Sequence, residues 1–328
     1  MNKSSLRNIG HFLVQQWCRI FALAILCCGT ASAAPLAFIT NQLGNSLSVI
    51  DLESNKVLHT IQGIQSPAGI ASCEQSQLIL ATSPDERLVY VINANTWQVS
   101  QRIKVGSGPL GITCDAHAHH AYVADWYDNA IYILDPLQGS VVDKVKVGKS
   151  PAGLELDEQR QRLYVANRDS NNVSVVDLDT LKILSNIAVG EAPFGLALSP
   201  DKQKLFAVNV HSATVSVIDT VHLQSTGDIA VGAWPYCAIT DPAGKTLYVT
   251  NQEEETVSII DIDSRQETAR VDVGETPEGI DITADGSKLV VVNWGEGNVS
   301  VIDTQTTETL YNISAQAGSR SFGHFVIP

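Results

Sequence analysis

The chain has 328 residues, 44% of them apolar and 17% charged, with 21 Lys and Arg against 35 Asp and Glu and a formal net charge of −14. That apolar share supplies a sizeable core and excludes an intrinsically disordered chain. The acidic balance excludes nucleic acid and anionic membrane surfaces as natural partners, and leaves solubility or a cationic partner as its use.

The first predicted element is a secretory signal peptide over residues 1–33. Lys3, Arg7 and Arg19 give a positive start, residues 20–28 read IFALAILCC, and Ala31, Ser32 and Ala33 form a small-residue cleavage site. The apolar run is shorter than the ~20 residues that span a bilayer. Cleavage is expected after Ala33, because the next bond would leave Pro35 first. Leu26 before Cys27 is a poor lipid-attachment box, which wants a small residue there. Removing the segment leaves 18 Lys and Arg against 35 Asp and Glu, a net charge of −17. No second apolar stretch of spanning length follows, so the mature protein is expected to be periplasmic or secreted and not membrane-embedded. Of six cysteines, Cys73, Cys114 and Cys237 remain, which allows at most one internal disulfide.

From residue 36 the chain repeats. LAFITN, SLSVIDL and KVLHTIQG come first and read as three short strands, lettered b, c and d. A P-x-G then recurs at Pro67, Pro109, Pro151, Pro193, Pro235 and Pro277, always 42 residues apart. The Asp closing SVID recurs at Asp51, Asp135, Asp177, Asp219, Asp261 and Asp303, with Asn93 in the missing slot. The Asn closing YVTN recurs at Asn41, Asn167, Asn209, Asn251 and Asn293, with Ser83 and Asp125 in register. This gives seven copies with no insertions. In the copy from Pro235, YCAITD, TLYVTN, TVSIIDI and ETARVDVG are four strand signals, a to d, rich in Val, Ile, Thr and Tyr. Pro and Gly are read as punctuating the d–a connection, and the Asp and Asn columns as accepting backbone N–H bonds in the c–d and b–c turns. The last stretch, SFGHFVIP, is a strand a with nothing after it.

Four-stranded units repeating every ~40–45 residues are β-propeller blades. The expected fold is all-β over residues 34–328: seven four-stranded antiparallel blades, closed by pairing of the C-terminal strand with the N-terminal strands. The YVTN, SVID and P-x-G strings resemble the YVTN-type β-propeller repeat family of exported bacterial and archaeal proteins. The resemblance implies the fold and leaves activity open. Relatives include surface-layer propellers, accessory proteins of periplasmic redox pathways, and haem d1 and quinoprotein propellers.

Function is sought where the copies disagree. The d–a and b–c loops of a propeller emerge on one face, around the channel mouth. Trp126 and Tyr127 lie in one b–c loop, Arg168 and His211 in the next two, and Trp294 in a later one; Trp234 precedes Pro235 in a d–a loop. The middle residue of P-x-G is Phe194, Tyr236 or Glu278 in three successive copies. Aromatic rings with an Arg and a His are the composition of binding surfaces, though rings can equally cap blade interfaces. The mouth is expected to be lopsided, which suits one oriented partner.

The remaining signals are weaker. The turn DAHAHH, residues 115–120, has three His but no second ligand cluster. Cys73 and Cys114 lie in strand a of adjacent blades, 41 residues apart, an offset that allows them to face each other or to point away. Cys237 stands at a Gly position of P-x-G. The expectation is an exported, monomeric, non-catalytic propeller that binds a periplasmic protein through the b–c/d–a face, as an accessory to a redox pathway. The sequence names no cofactor. The alternative is an oxidoreductase component holding haem, quinone or copper at the mouth, with His211 or His324 as ligand. A lactonase-like hydrolase would need Asp125, Glu278 and Asp281 to converge.

Overall fold

The computed structural model describes residues 34–328. The signal-peptide reading therefore lies outside the described residues. No helix among them is long and apolar enough to cross a membrane. The described chain is all-β, in seven blades of four antiparallel strands; blade 1 takes its innermost strand, Val326–Ile327, from the C-terminal end, and blade 2 gains a short fifth strand, Phe322–His324. Blade 1 holds Leu36–Asn41, Ser46–Asp51 and Lys56–Gln62. Blades 2 to 7 follow, each opening on its own strand a, from Gly69–Cys73 in blade 2 to Pro277–Ile282 in blade 7.

Strands b and c are buried nearly throughout, whereas the outermost strand d is largely exposed. The core therefore lies between blades. One apolar cluster joins Phe38 and Ile50 of blade 1 to Ile79 and Tyr90 of blade 2 and Val290 and Val301 of blade 7. A single blade has two apolar faces, and only neighbours on both sides can cover them.

The columns of the repeat sort into distinct physical jobs. Asp51 Oδ1 accepts the backbone N–H groups of Glu53 and Ser54 at 2.8 and 2.9 Å, and Asp303 does the same for Gln305 and Thr306. Asn93, in the same column, accepts from Asn95 and Thr96. This is the c–d turn role expected from the sequence.

The Asn column departs from expectation. Asn251 Nδ2 donates to Thr256 Oγ1 at 3.1 Å and Ser258 Oγ at 2.9 Å. Asn41, Asn209 and Asn293 make the equivalent pairs. Asn251 pairs directly with Thr256, so the two side chains share a face, with Ser258 diagonal to them. These amides staple strand b to strand c and do not cap a turn.

The glycine of P-x-G also differs. It permits close approach between strands and does not serve a bend. A Cβ on Gly111 would sit 1.9 Å from the Ala152 carbonyl oxygen of the next blade, and one on Gly279 would sit 2.0 Å from the Ser321 carbonyl oxygen. The inner strands crowd around the channel, and at Gly111 and Gly279 only a residue without a side chain fits.

Closure occurs as expected, with one correction. Val326–Ile327 pair antiparallel with Leu36 and Ala37, and Phe38 N–H donates to the Phe325 carbonyl at 2.9 Å. In blade 7 Leu289 pairs with Ile282. Ala37 is the equivalent of Leu289, so the 42-residue step predicts position 324 as its partner, yet the partner is Val326. The closing strand thus carries two extra residues, and the repeat is not free of insertions. Phe322–His324 leave blade 1 and pair parallel with Gly69–Ala71 of blade 2. Asp281 anchors the return: its Oδ2 accepts the N–H groups of Phe325 and Val326 at 2.7 and 2.8 Å.

Cys73 and Cys114 form a disulfide between blades 2 and 3, with Cα atoms 5.8 Å apart. Of the two orientations left open by their spacing, the facing one is realised.

Candidate functional site

The middle residues of P-x-G succeed one another around the channel mouth as Ala68, Leu110, Ala152, Phe194, Tyr236 and Glu278. One further step of 42 from residue 278 reaches Arg320, in the closing segment. Small side chains on one side and bulky ones on the other leave a lopsided hollow. Phe194 stacks on Tyr236 with ring centroids 4.1 Å apart, and Phe322 meets Phe194 edge-on at 5.4 Å.

The b–c loop of each blade is tied to the d–a loop before it. The Trp126 N–H donates to the Gly108 carbonyl, Arg168 to Ser150, Gln252 to Trp234 and Trp294 to Thr276, at 3.0 to 3.1 Å. Both loop sets therefore sit on one face. Tyr127 lies over Gly108, where an added Cβ would come within 2.5 Å of its ring.

These loops enclose a pocket of about 510 Å³, lined by Trp126, Tyr127, Arg168, Phe194, Trp234 and Tyr236, together with Leu110, Val210, Gln42, Gln252 and Arg320. The first six are all residues singled out in the sequence. Tyr127 and Trp234 are 72% and 48% exposed, so these two rings can touch an incoming partner, whereas Phe194 and Tyr236 are buried in the wall. Arg168 stands over the Trp126 ring, 5.9 Å from its centroid.

The other predicted residues lie near the pocket without lining it. His211 Nε2 is 3.2 Å from Arg168 Nη2, and its ring lies 5.7 Å from Trp234. Trp294 donates its indole N–H to Gln42 Oε1 at 3.2 Å, holding a residue that does line the pocket. Glu278 is buried behind the wall.

Glu278 belongs to a buried polar group that the repeat pattern did not reveal. Arg320 Nε lies 2.8 Å from Glu278 Oε2, without the alignment of a hydrogen bond. Arg320 Nη2 donates to the Tyr236 hydroxyl at 2.8 Å, and Gln252 Nε2 donates to Glu278 Oε1 at 3.2 Å. Burial pushes the Glu278 carboxyl up, and the adjacent guanidinium works against that. Burial likewise raises the Tyr236 phenol and the Cys237 thiol. Cys237 is thus a protonated, buried thiol and not an activated nucleophile. The signal for Arg320 was present: it falls in the same 42-residue column as Phe194, Tyr236 and Glu278.

Deeper in the channel lies a separate cluster. His324 Nε2 is 3.6 Å from Glu155 Oε1, and its Nδ1 is 3.6 Å from Asp281 Oδ1. Asp125, Glu278 and Asp281 do not converge. Asp125 is fully buried in blade 3 and accepts the N–H groups of Ser107, Gly108 and Asp128. Asp115 likewise accepts the N–H groups of His117, His119 and His120, shaping their exposed turn. No group of three or more His, Cys, Asp and Glu placed to hold a metal ion occurs among the described residues.

No protein-family model matches the chain, and no curated protein does. Several solved structures are similar to it. Kuenenia stuttgartiensis hydrazine synthase is 22% identical, with a TM-score of 0.73 over 83% of this chain and 92% of that one. A functionally unknown protein from Desulfotomaculum acetoxidans DSM 771 is 12% identical, with a TM-score of 0.77 over 88% and 99%. The dihydro-heme d1 dehydrogenase NirN in complex with DHE is 12% identical, with a TM-score of 0.64 over 85% and 72%. At these identities the likeness is one of fold: a seven-bladed β-propeller.

Proposed function

We propose that this chain is an exported, non-catalytic binding propeller that engages a periplasmic protein partner through the mouth formed by its b–c and d–a loops. One observation carries this reading: six residues chosen from the sequence because they break the repeat line a single pocket of about 510 Å³. Exposed aromatic anchors beside an arginine are the composition of interface hot spots. The polar neighbours of the pocket are engaged in holding the wall, and none is arranged as a nucleophile with its base.

The test replaces Tyr127 and Trp234 together by Ala. Both are exposed, so folding should be kept, which a Tyr236 variant would not guarantee. Capture of the partner from the host's periplasmic fraction should fall at least tenfold, with an unchanged melting temperature. Undiminished capture would remove this reading.

A second reading, a redox cofactor carrier, draws on the position of His211 beside Arg168 and Trp234 at the pocket's edge. One similar structure is named a dihydro-heme d1 dehydrogenase. The fit to an axial imidazole is poor. His211 Nε2 already faces Arg168, and both ring nitrogens of His324 face carboxylates. The visible absorption spectrum of protein purified from its native host separates the two readings.

A further inference from the structure

The mouth pocket has a chemistry of its own, and the ligand class assigned to it rests on the mouth being the binding face. Its polar lining is dominated by donors. Arg168 and Arg320 line it with Gln42 and Gln252, and no Asp or Glu does, in a chain whose acids outnumber its bases 35 to 21. The carboxylates that balance the two guanidiniums are set back from the lining. Glu278 is buried 2.8 Å from Arg320 Nε, and Asp169 lies 2.8 Å from Arg168 Nη1. Arg320 spends Nη2 on the Tyr236 hydroxyl, while its Nε is buried without an aligned hydrogen-bond partner. The facing walls are flat rings: Trp126, Tyr127, Phe194, Trp234 and Tyr236.

We propose that this pocket takes an aromatic ring bearing a carboxylate, the ring lying among the exposed faces of Trp234 and Tyr127 and the carboxylate turned to the guanidiniums of Arg168 and Arg320. A purely apolar occupant would take water from the guanidiniums of Arg168 and Arg320 that line the pocket and offer no partner in return, which is costly. A cationic one would meet two guanidiniums. A planar anion satisfies both features, because guanidinium–carboxylate pairs are strong and directional and ring faces stack. The volume lies within the roughly 300–1,000 Å³ of small-ligand sites. Two sources offer this chemistry: a free aromatic acid, and the aromatic C-terminal residue of a protein.

The test is calorimetric titration of the full mature chain with three probes: N-acetyl-L-tryptophan, its amide, and a ten-residue peptide ending in tryptophan with a free carboxylate. The acid should bind, and the amide should bind about tenfold more weakly or less, the size expected for losing a charge-assisted pair. Trp234→Ala and Arg168→Gln should each weaken the acid similarly, with melting temperatures unchanged. A peptide that binds more tightly than the single residue assigns the site to a chain end; one that binds no more tightly assigns it to a free acid. Equal binding of acid and amide, indifference to Arg168→Gln, or no binding of any probe overturns the inference. In those cases, partner capture that still depends on Tyr127 and Trp234 would leave the binding face standing and this ligand class refuted.

Discussion

His324 is ringed by protein yet wetted by the channel, with 47% of its side chain exposed. Enclosure alone lowers an imidazole pKa. Here Asp281 and Glu155 outweigh it and hold the group well above its ordinary 6.5. A folded pKa raised above the unfolded one adds stability that is fully present below about pH 6.5 and is lost as pH rises through the folded value. The melting temperature of the native chain should therefore fall across that window, by on the order of a degree or two given the wet surroundings. His324→Gln should flatten that part of the profile. An identical pH dependence in both proteins would show the two ion contacts to be idle. The same residue scale shows what sequence columns can carry. Phe194, Tyr236 and Glu278 were legible as mouth residues because each departs from the small residue at its position. Arg320 occupies the same column, but no Pro or Gly flanks it to mark the register. Glu278 was legible as a mouth residue and not as a buried partner of Arg320, because burial depends on what comes next around the ring.

At the scale of elements, the closing segment is the most consequential. Phe322 and Phe325 are buried, and Asp281 holds two of the segment's N–H groups. Burying two phenylalanines is worth about 3–6 kcal/mol on transfer grounds, a large part of the ~5–15 kcal/mol that separates folded from unfolded domains. Ending the chain after Ser319 should abolish a cooperative transition in thermal calorimetry or lower its midpoint by many degrees. Asp281→Ala, which removes the anchor together with one of the two carboxylates facing His324, should cost about 1.5–3 kcal/mol in denaturant unfolding. A truncated chain that melts like the full one would show the segment to be ornamental. The strands themselves were readable from short runs rich in Val, Ile, Thr and Tyr set between turn residues. The excursion of Phe322–His324 into the channel was not, because a two-residue insertion in the final copy has no later copy to expose it.

For the whole molecule, seven blades share one covalent cross-link beyond the backbone. The Cys73–Cys114 disulfide closes a loop 41 residues long between neighbouring blades. Loop-closure arguments put its contribution at about 2–4 kcal/mol. The Cys73→Ser, Cys114→Ser double variant should unfold at correspondingly lower denaturant, and adding reductant should then change nothing further. The ring was legible because it is written as a period. The choice between facing and diverging cysteines was not, since an offset of one residue from the period suits either.

Since Leu36 lies against Ile327, both described ends belong to the same sheet. The hoop therefore has one gap in its covalent perimeter, spanned only by noncovalent contacts, and outward tension should part it there first. Splicing position 328 to position 34 with a flexible tether, and cutting between two other sheets, would relocate that weak seam without altering a single spoke.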